Sequence, residues 1–247
     1  MSVDVVERDL LRARLPADRS LSTRRHGTAP MKLLYQSHSP YARKVLVAAH
    51  ELGLAGALEV IHHETSPLRR NDVVLACNPL GKVPVLVLDD GFALFDSDVI
   101  CAWLDGLHGH ARLIPADAPR RWRALRLQAL AQGIADAGIA VRWESERRPP
   151  ALRWAEYRDG QLGKIAAACD LLERDFDDGD DAPGIGASDV GIPDVGAIAL
   201  ATALSWIDFR GVCAFRDDRP RLAAWYARFA ARPSMRATAL SGDTHDR

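Results

Sequence analysis

The chain has 247 residues, of which 48% are hydrophobic and 26% charged, and its formal net charge is -1. This length allows one large domain or two modest ones, with enough apolar material for a buried core. A charge so close to zero gives no indication of nucleic acid or an anionic membrane as a partner. No apolar run reaches the roughly 20 residues that a membrane span requires.

The first thirty residues differ from the rest of the chain. They contain six arginines and four acidic residues, and no apolar block of signal-peptide length. The acidic residues argue against a basic targeting peptide, and the missing apolar block argues against secretion. We expect residues 1–30 to be a disordered or loosely attached extension, with the folded chain beginning at Met31.

From Met31 the pattern predicts a β-α-β unit, a connection, and then a β-β-α unit. Ser39 and Pro40 are typical of an N-cap and a first helical residue. The sequence Asp-Asp-Gly at 89–91 predicts a hairpin, and Ser97 is expected to cap the helix that follows it. A polar connection without regular structure is expected between the second and third strands. The predicted strands cover residues 32–36, 58–63, 83–88 and 92–95.

The remainder of the chain is predicted to be helical. The expected helices cover residues 120–147, 151–176, 194–209, 220–231 and 234–239, with an acidic, glycine-rich loop at 177–191. The fold class is therefore α/β plus all-α. The predicted organisation is an extension at 1–30, an α/β domain at 31–108, a linker at 109–118 and a helical domain at 119–247.

The four cysteines are Cys77, Cys101, Cys169 and Cys213. None forms a C-x-x-C pair, and no histidine stands beside them at metal-ligand spacing. We therefore expect buried, reduced thiols in a reducing compartment, which favours the cytoplasm, and we expect no metal site.

The segment from Ser37 to Lys44 follows a strand and begins a helix. A helix N-terminus offers unpaired N–H groups and a partial positive charge, so it favours an anion such as a thiolate. The Ser39 hydroxyl would lie where it can donate a hydrogen bond to that anion. Ser39 also suits a purely structural N-cap role, and the two roles are compatible.

Two further segments have the character of a ligand site. Pro84 begins a strand, and a cis bond before it would turn the backbone of Val83 outward, where an extended peptide could pair with it. A trans bond in a plain turn is the commoner alternative. At the second strand-to-helix junction, N–H groups and the Ser97 hydroxyl could hold a carboxylate, and Asp96 could pair with an ammonium group.

Together, in this order, these segments resemble the glutathione transferase superfamily, and the resemblance covers nearly all of residues 31–240. The stretch N-P-x-G-K-V-P at 78–84 is one of the more specific motifs of that family. The resemblance implies a thioredoxin-like N-terminal domain and a helical C-terminal domain. It also implies a cytoplasmic homodimer that uses glutathione as co-substrate.

The resemblance also implies roles for individual residues. Ser39 matches the activating residue of serine-type bacterial members, with Ser37 as a nearby competitor. Pro84 is expected to be cis, with the Val83 backbone pairing with the cysteinyl part of glutathione. Asp96 and Ser97 match the pair that holds the γ-glutamyl end, and Lys82 lies where it can approach the glycyl carboxylate.

The predicted activity is transfer of glutathione to a small apolar electrophile. Tyr41 and Trp143 could line the acceptor pocket, although the tryptophans of the long helices, Trp122, Trp143 and Trp154, are expected more often to pack in the core or line a groove than to contact substrate. Disulfide reductase activity is disfavoured, because no cysteine stands at or near Ser39. A glutathione-dependent isomerase or dehalogenase and a non-catalytic regulatory protein remain alternatives.

Overall fold

The computed structural model describes residues 30–107, 113–176 and 191–243. Nearly all of the N-terminal extension and most of the loop predicted at 177–191 lie outside these residues. The described residues form two compact units, one comprising 30–107 with 241–243 and the other comprising 113–176 with 191–240.

The first unit contains a four-stranded mixed sheet in the order β2-β1-β3-β4. The strands are β1 (Met31–Tyr35), β2 (Leu58–His62), β3 (Val85–Val87) and β4 (Ala93–Leu94). β1 runs parallel to β2 and antiparallel to β3, and β3 runs antiparallel to β4. A β-α-β crossover followed by a β-hairpin produces this order. It is the thioredoxin-like arrangement that the sequence predicted.

Three helices pack in the first unit: α1 (Pro40–Glu51), α2 (Asp72–Cys77) and α3 (Ser97–Gly106). The sequence analysis was wrong to leave residues 72–77 without regular structure, because Asn71 caps α2 by accepting a hydrogen bond from the Val74 N–H at 3.1 Å. The expected N-cap of α3 was also wrong by one residue. Asp96 is the N-cap, and its carboxylate accepts from the Asp98 N–H at 3.1 Å.

The core of the first unit lies where β1 and β3 meet. Leu33 and Leu34 on β1 and Val85 and Leu86 on β3 have no exposed surface. Strands that are buried on both faces carry continuous apolar runs, which explains why β1 and β3 lack an alternating pattern. The buried strands β1 and β3 therefore fix the positions of the chain segments that leave the sheet at its edge.

The second unit is helical. Its helices are α4 (Ala118–Arg142), α5 (Ala155–Asp175), α6 (Val195–Phe209), α7 (Pro220–Ala230) and α8 (Pro233–Ala237), with a single π-helical turn at Trp143–Arg147 after α4 and a short 3₁₀ turn at Pro150–Leu152. The long helix predicted to 147 thus changes its hydrogen-bonding pattern at Trp143. The Glu144 carboxylate accepts from the Arg148 side chain and from the Trp154 N–H, and so links this turn to the start of α5.

Helix α6 is the centre of the second unit. Of its fifteen residues, twelve are buried. Two glycines allow α4 and α6 to approach closely: a Cβ on Gly138 would lie 2.6 Å from Ile207, and one on Gly196 would lie 2.5 Å from the Ala124 carbonyl oxygen. Asp194 caps α6 and accepts from the Ala197 N–H at 2.8 Å.

Several predicted burials can be compared with the structure. Cys77, Cys101 and Cys169 are buried as free thiols, whereas Cys213 is half-buried. The expectation that Trp122 and Trp154 pack in the core or line a groove is wrong as regards the core, since they are 66% and 62% exposed. No helix in the described part of the chain is both long enough and apolar enough to cross a membrane.

Candidate functional site

The strand register brings three chain segments to one edge of the sheet. Leu34 in β1 pairs with Val85 in β3, so the segment after β1 and the segment before β3 leave the sheet together. Leu86 pairs with Leu94 in β4, which brings the chain after β4 to the same edge. The segments that begin α1, precede β3 and begin α3 therefore meet at the place where the sequence predicted a ligand.

Ser39 is the N-cap of α1. It is 7% exposed, and its Oγ accepts a hydrogen bond from the Ala42 N–H at 3.2 Å. Its own N–H donates to the Gln36 carbonyl at 3.1 Å, which closes a tight turn after β1. The capping bond uses a lone pair of Oγ and leaves the hydroxyl hydrogen available as a donor. The predicted capping role and the predicted donor role are thus compatible in this geometry.

Ser37 has a different environment. Its hydroxyl donates to the Ser241 carbonyl oxygen at 2.8 Å, and the Ser241 N–H donates to the Ser37 carbonyl at 3.2 Å. Gly242 lies against the same hydroxyl and has φ +82, a conformation that favours glycine. A segment more than two hundred residues away therefore holds the loop that leads to Ser39.

The loop before β3 is shaped by side chains that the sequence analysis did not single out. Asn78 is 2% exposed; its Oδ1 accepts from the Leu80 N–H and its Nδ2 donates to the Lys82 carbonyl. The Thr65 hydroxyl donates to the Gly81 carbonyl at 2.8 Å. The asparagine of the N-P-x-G-K-V-P motif is the signal that could have indicated this scaffold, because its amide can both donate and accept hydrogen bonds within a loop.

Val83 presents its backbone to a ligand. The Val83–Pro84 bond is cis, as the resemblance implied. Among the described residues, neither the N–H nor the carbonyl of Val83 has a hydrogen-bond partner, although Val83 is only 8% exposed. Buried backbone groups are nearly always paired, so this pair is available for an extended peptide. Lys82, the next residue toward the N-terminus, is exposed.

The N-terminus of α3 carries Asp96 and Ser97. Asp96 is exposed and caps the helix, while Ser97 is 1% exposed. Within the described part of the chain, no group forms a hydrogen bond with the Ser97 hydroxyl. A buried hydroxyl without a partner at a helix N-terminus suits an anionic ligand that would complete its bonding.

A polar cluster surrounds Glu64 at the carboxyl ends of β1 and β2. Glu64 accepts from Gln36 Nε2 at 3.1 Å and contacts His62 Nε2 at 2.7 Å, and His38 Nε2 lies 3.9 Å away. Gln36 also donates to the Thr65 carbonyl at 2.9 Å. No local sequence pattern indicates this cluster, because its members come from separate segments. It holds Gln36 in the turn that leads to Ser39.

Tyr41 and Trp143 lie in different units. Tyr41 is half-buried in the first turn of α1, and Trp143 is half-buried in the π-helical turn of the second unit. The Arg147 guanidinium lies 5.2 Å from the centre of the Trp143 ring. That these two residues line one acceptor pocket remains a prediction.

No group of three His, Cys, Asp or Glu side chains in the described residues is arranged to hold a metal.

Comparison with known proteins agrees with the fold. Residues 38–107 match the family model of the glutathione S-transferase N-terminal domain, and residues 155–228 match that of the C-terminal domain. The uncharacterized GST-like protein YibF of Escherichia coli is 31% identical over 84% of this chain and 98% of its own length.

Comparison with solved structures also finds similarity to glutathione transferases. A glutathione transferase family member from Pseudomonas fluorescens, with bound glutathione, is 39% identical, with a TM-score of 0.76 over 86% of this chain and 100% of its own. A glutathione S-transferase from Methylobacillus flagellatus, with GSH bound, is 33% identical, with a TM-score of 0.73 over 85% of this chain and 100% of its own. The chain belongs to the glutathione S-transferase family, with its thioredoxin-like N-terminal and helical C-terminal domains.

Proposed function

We propose that the chain is a glutathione transferase that binds glutathione along the edge of its sheet. The observation that carries this proposal is the unpaired backbone of Val83, which lies between two helix N-termini. Its N–H and carbonyl would pair with the cysteinyl residue of the tripeptide as an added strand. The glutathione and GSH bound in the two related structures support the same choice of ligand.

The two ends of the tripeptide would then reach complementary groups. The γ-glutamyl carboxylate would accept hydrogen bonds from the Ser97 hydroxyl and from N–H groups of the first turn of α3, and Asp96 would face the ammonium group. Lys82 is exposed on the other side of Val83, where its ammonium could reach the glycyl carboxylate. Charge-assisted bonds at both ends would hold the cysteinyl sulfur in place.

Ser39 would then act on that sulfur. The α1 N-terminus favours negative charge, and the Ser39 hydroxyl would donate a hydrogen bond to the thiolate. Together they would lower the pKa of the glutathione thiol from its ordinary value of about 8.5 toward neutrality. Ser39 is favoured over Ser37 because the Ser37 hydroxyl hydrogen is used on the Ser241 carbonyl.

The reaction itself requires little further chemistry from the protein. The thiolate attacks an electrophilic carbon, the C–S bond forms, and the leaving group departs with the electron pair of the bond that breaks. The chain would contribute orientation and thiolate stabilisation. The electrophile would be small and apolar, with Tyr41 and Trp143 as candidates for contacts to it.

The test is to titrate the ultraviolet absorbance of the thiolate on adding glutathione to the protein. The wild-type protein should show bound thiolate at neutral pH, and Ser39→Ala should lose most of it, with an apparent thiol pKa raised by about 1–2 units. Ser37→Ala is the matched control and should keep the thiolate once glutathione is saturating. If Ser39→Ala retains it, the hydroxyl role belongs elsewhere, and if glutathione does not bind at all, the transferase proposal fails.

Glutathione-dependent isomerisation or dehalogenation would use the same site. Analysis of the products separates these reactions, because conjugation consumes one glutathione for each product and isomerisation returns it. A non-catalytic regulatory role is disfavoured by the availability of the Ser39 and Ser97 hydroxyls and of the Val83 backbone.

We further propose a cytoplasmic homodimer, with the exposed Trp122 and Trp154 as part of the apolar surface that a partner would cover.

A further inference from the structure

A buried ion pair joins the two helices whose N-termini flank the site. Lys44 in α1 is 2% exposed and pairs through Nζ with the carboxylate of Asp98 in the first turn of α3. A lysine is almost never buried unless its charge is paired. Neither residue has a functional role predicted from its local sequence. The family's implied glutathione contacts leave this pair without a role.

The pair lies within a larger charge arrangement. Burial raises the pKa of the Cys101 thiol to about 12; the Lys44 ammonium opposes this shift, and the carboxylates of Asp98, Asp96 and Asp105 add to it. The surroundings of Cys101 in α3 therefore combine the buried ammonium of Lys44, which comes from α1, with several carboxylates. Two of these carboxylates, Asp96 and Asp98, flank Ser97 directly in the chain.

This arrangement creates an electrostatic problem for an anionic ligand. A carboxylate bound at Ser97 would lie beside Asp96 and Asp98, and like charges at close range repel. Asp96 can face the ligand's own ammonium group, but Asp98 has no such partner in the ligand. Lys44 neutralises Asp98 from the protein side. Because Lys44 is held in the α1–α3 contact, the neutralisation requires no side-chain ordering when the ligand binds.

We propose that Lys44 is a positioning residue for the γ-glutamyl carboxylate of glutathione, acting through Asp98 by cancelling its charge and holding the first turn of α3 against α1. This inference rests on the proposed glutathione site. It predicts opposite effects for the two members of the pair. Loss of the ammonium should weaken binding of the carboxylate, and loss of the Asp98 charge should strengthen it.

The experiment measures dissociation constants by calorimetry for two probes, glutathione and 4-aminobutyryl-cysteinyl-glycine, which lacks only the α-carboxylate. Lys44→Met should weaken glutathione binding about threefold to fivefold, and Asp98→Asn should strengthen it by a similar factor. Binding of the analogue should change by less than about twofold in both variants. Both substitutions break the same ion pair, so a merely structural role would weaken binding in both.

Matched controls are available in the second unit. Lys164→Met removes one positive charge, and Asp170→Asn breaks the exposed ion pair of Asp170 with Arg219; neither should change glutathione affinity. Lys44→Arg keeps the charge and should restore binding. If Lys44→Met does not fold, Asp98→Asn alone tests the inference. Unchanged or weaker glutathione binding by Asp98→Asn would overturn it. Equal changes in the dissociation constants of the two probes would also overturn the inference. If wild-type protein binds neither probe, the proposed function itself fails.

Discussion

At the scale of single residues, Asp194 carries its carboxylate in a place where ionisation is unfavourable. It is 7% exposed, and burial raises its pKa from 3.8 to about 6, although hydrogen bonds from the Ala197 and Gly196 N–H groups oppose the shift. A carboxyl group with a raised pKa in the folded state binds a proton on folding between the two pKa values. The free energy of unfolding should therefore fall as the pH rises from about 4 to 6.

The variant Asp194→Asn should remove this pH dependence, because asparagine is a good N-cap but does not titrate. Relative to wild type, its unfolding free energy should rise by up to about 3 kcal/mol between pH 4 and pH 7. Denaturant unfolding at several pH values measures this difference. Asp194→Ala serves as a control that loses the cap at every pH, at a cost of about 1 kcal/mol. A constant difference between wild type and Asp194→Asn would contradict the prediction.

At the scale of the helices, the α4–α6 contact depends on a residue without a side chain. A Cβ at Gly196 would lie 2.5 Å from the backbone oxygen of Ala124 and 2.8 Å from the Cβ of Leu127. Neither atom belongs to a flexible side-chain end, so the helices themselves would have to separate. Gly196→Ala should lower the free energy of unfolding by about 2–3 kcal/mol.

Gly133 in α4 offers the matched control, because a Cβ there would have no atom within 4 Å. Gly133→Ala should stabilise the protein by about 0.5–1 kcal/mol through helix propensity alone. Thermal or urea unfolding of the two variants gives the comparison. If Gly196→Ala were as stable as Gly133→Ala, close approach would not be what holds α6 in place.

The same helices show how far the sequence predicts the structure. Helix α6 was predicted at almost its observed bounds, because Asp194 and a long apolar run define it without tertiary information. Helix α2 was missed, because six residues after an asparagine cap are too few to show helical periodicity. Whether Trp122 packs in the core or lines a groove could not be decided in advance, because a sequence shows the apolar character of a side chain and not whether another surface covers it.

The candidate site was predictable to a similar degree. Ser39 and Ser97 lie at strand-to-helix junctions, and Val83 lies at a loop-to-strand junction. Each junction is recognisable in the local sequence, and the register of the sheet places all three at one edge. The Lys44–Asp98 pair and the Ser37–Ser241 contact join residues far apart in the chain. No local pattern encodes such pairs, so they required the folded structure.

At the scale of the whole molecule, residues 241–243 belong to the first unit, although the chain reaches them only after the second unit. Deletion of residues 241–247 would remove both hydrogen bonds between Ser37 and Ser241, one from the Ser37 hydroxyl and one to the Ser37 carbonyl. Each is worth about 1 kcal/mol, so the loop before Ser39 should loosen and glutathione affinity should fall roughly threefold to tenfold. The melting temperature should fall by only a few degrees, since two hydrogen bonds are lost but no core residue is.

Calorimetric titration with glutathione tests this prediction. Deletion of residues 244–247 alone is the control, because it keeps Ser241 and Gly242 and should bind as wild type does. Gly242→Val should resemble the longer deletion, since valine is strained at φ +82 and its Cβ would press on the Ser37 hydroxyl. Unchanged affinity in the longer deletion would show that the Ser37 loop holds its shape unaided.

The contact between Ser37 and Ser241 also has a consequence for protein synthesis. The two residues are separated by 204 positions. At about 5–20 residues per second, a ribosome needs roughly ten to forty seconds to travel from one to the other. The sheet and α1 can form early in that interval, but the loop that precedes Ser39 cannot be closed until Ser241 has been translated. The nascent polypeptide is therefore expected to gain its full affinity for glutathione only after Ser241 has left the ribosome.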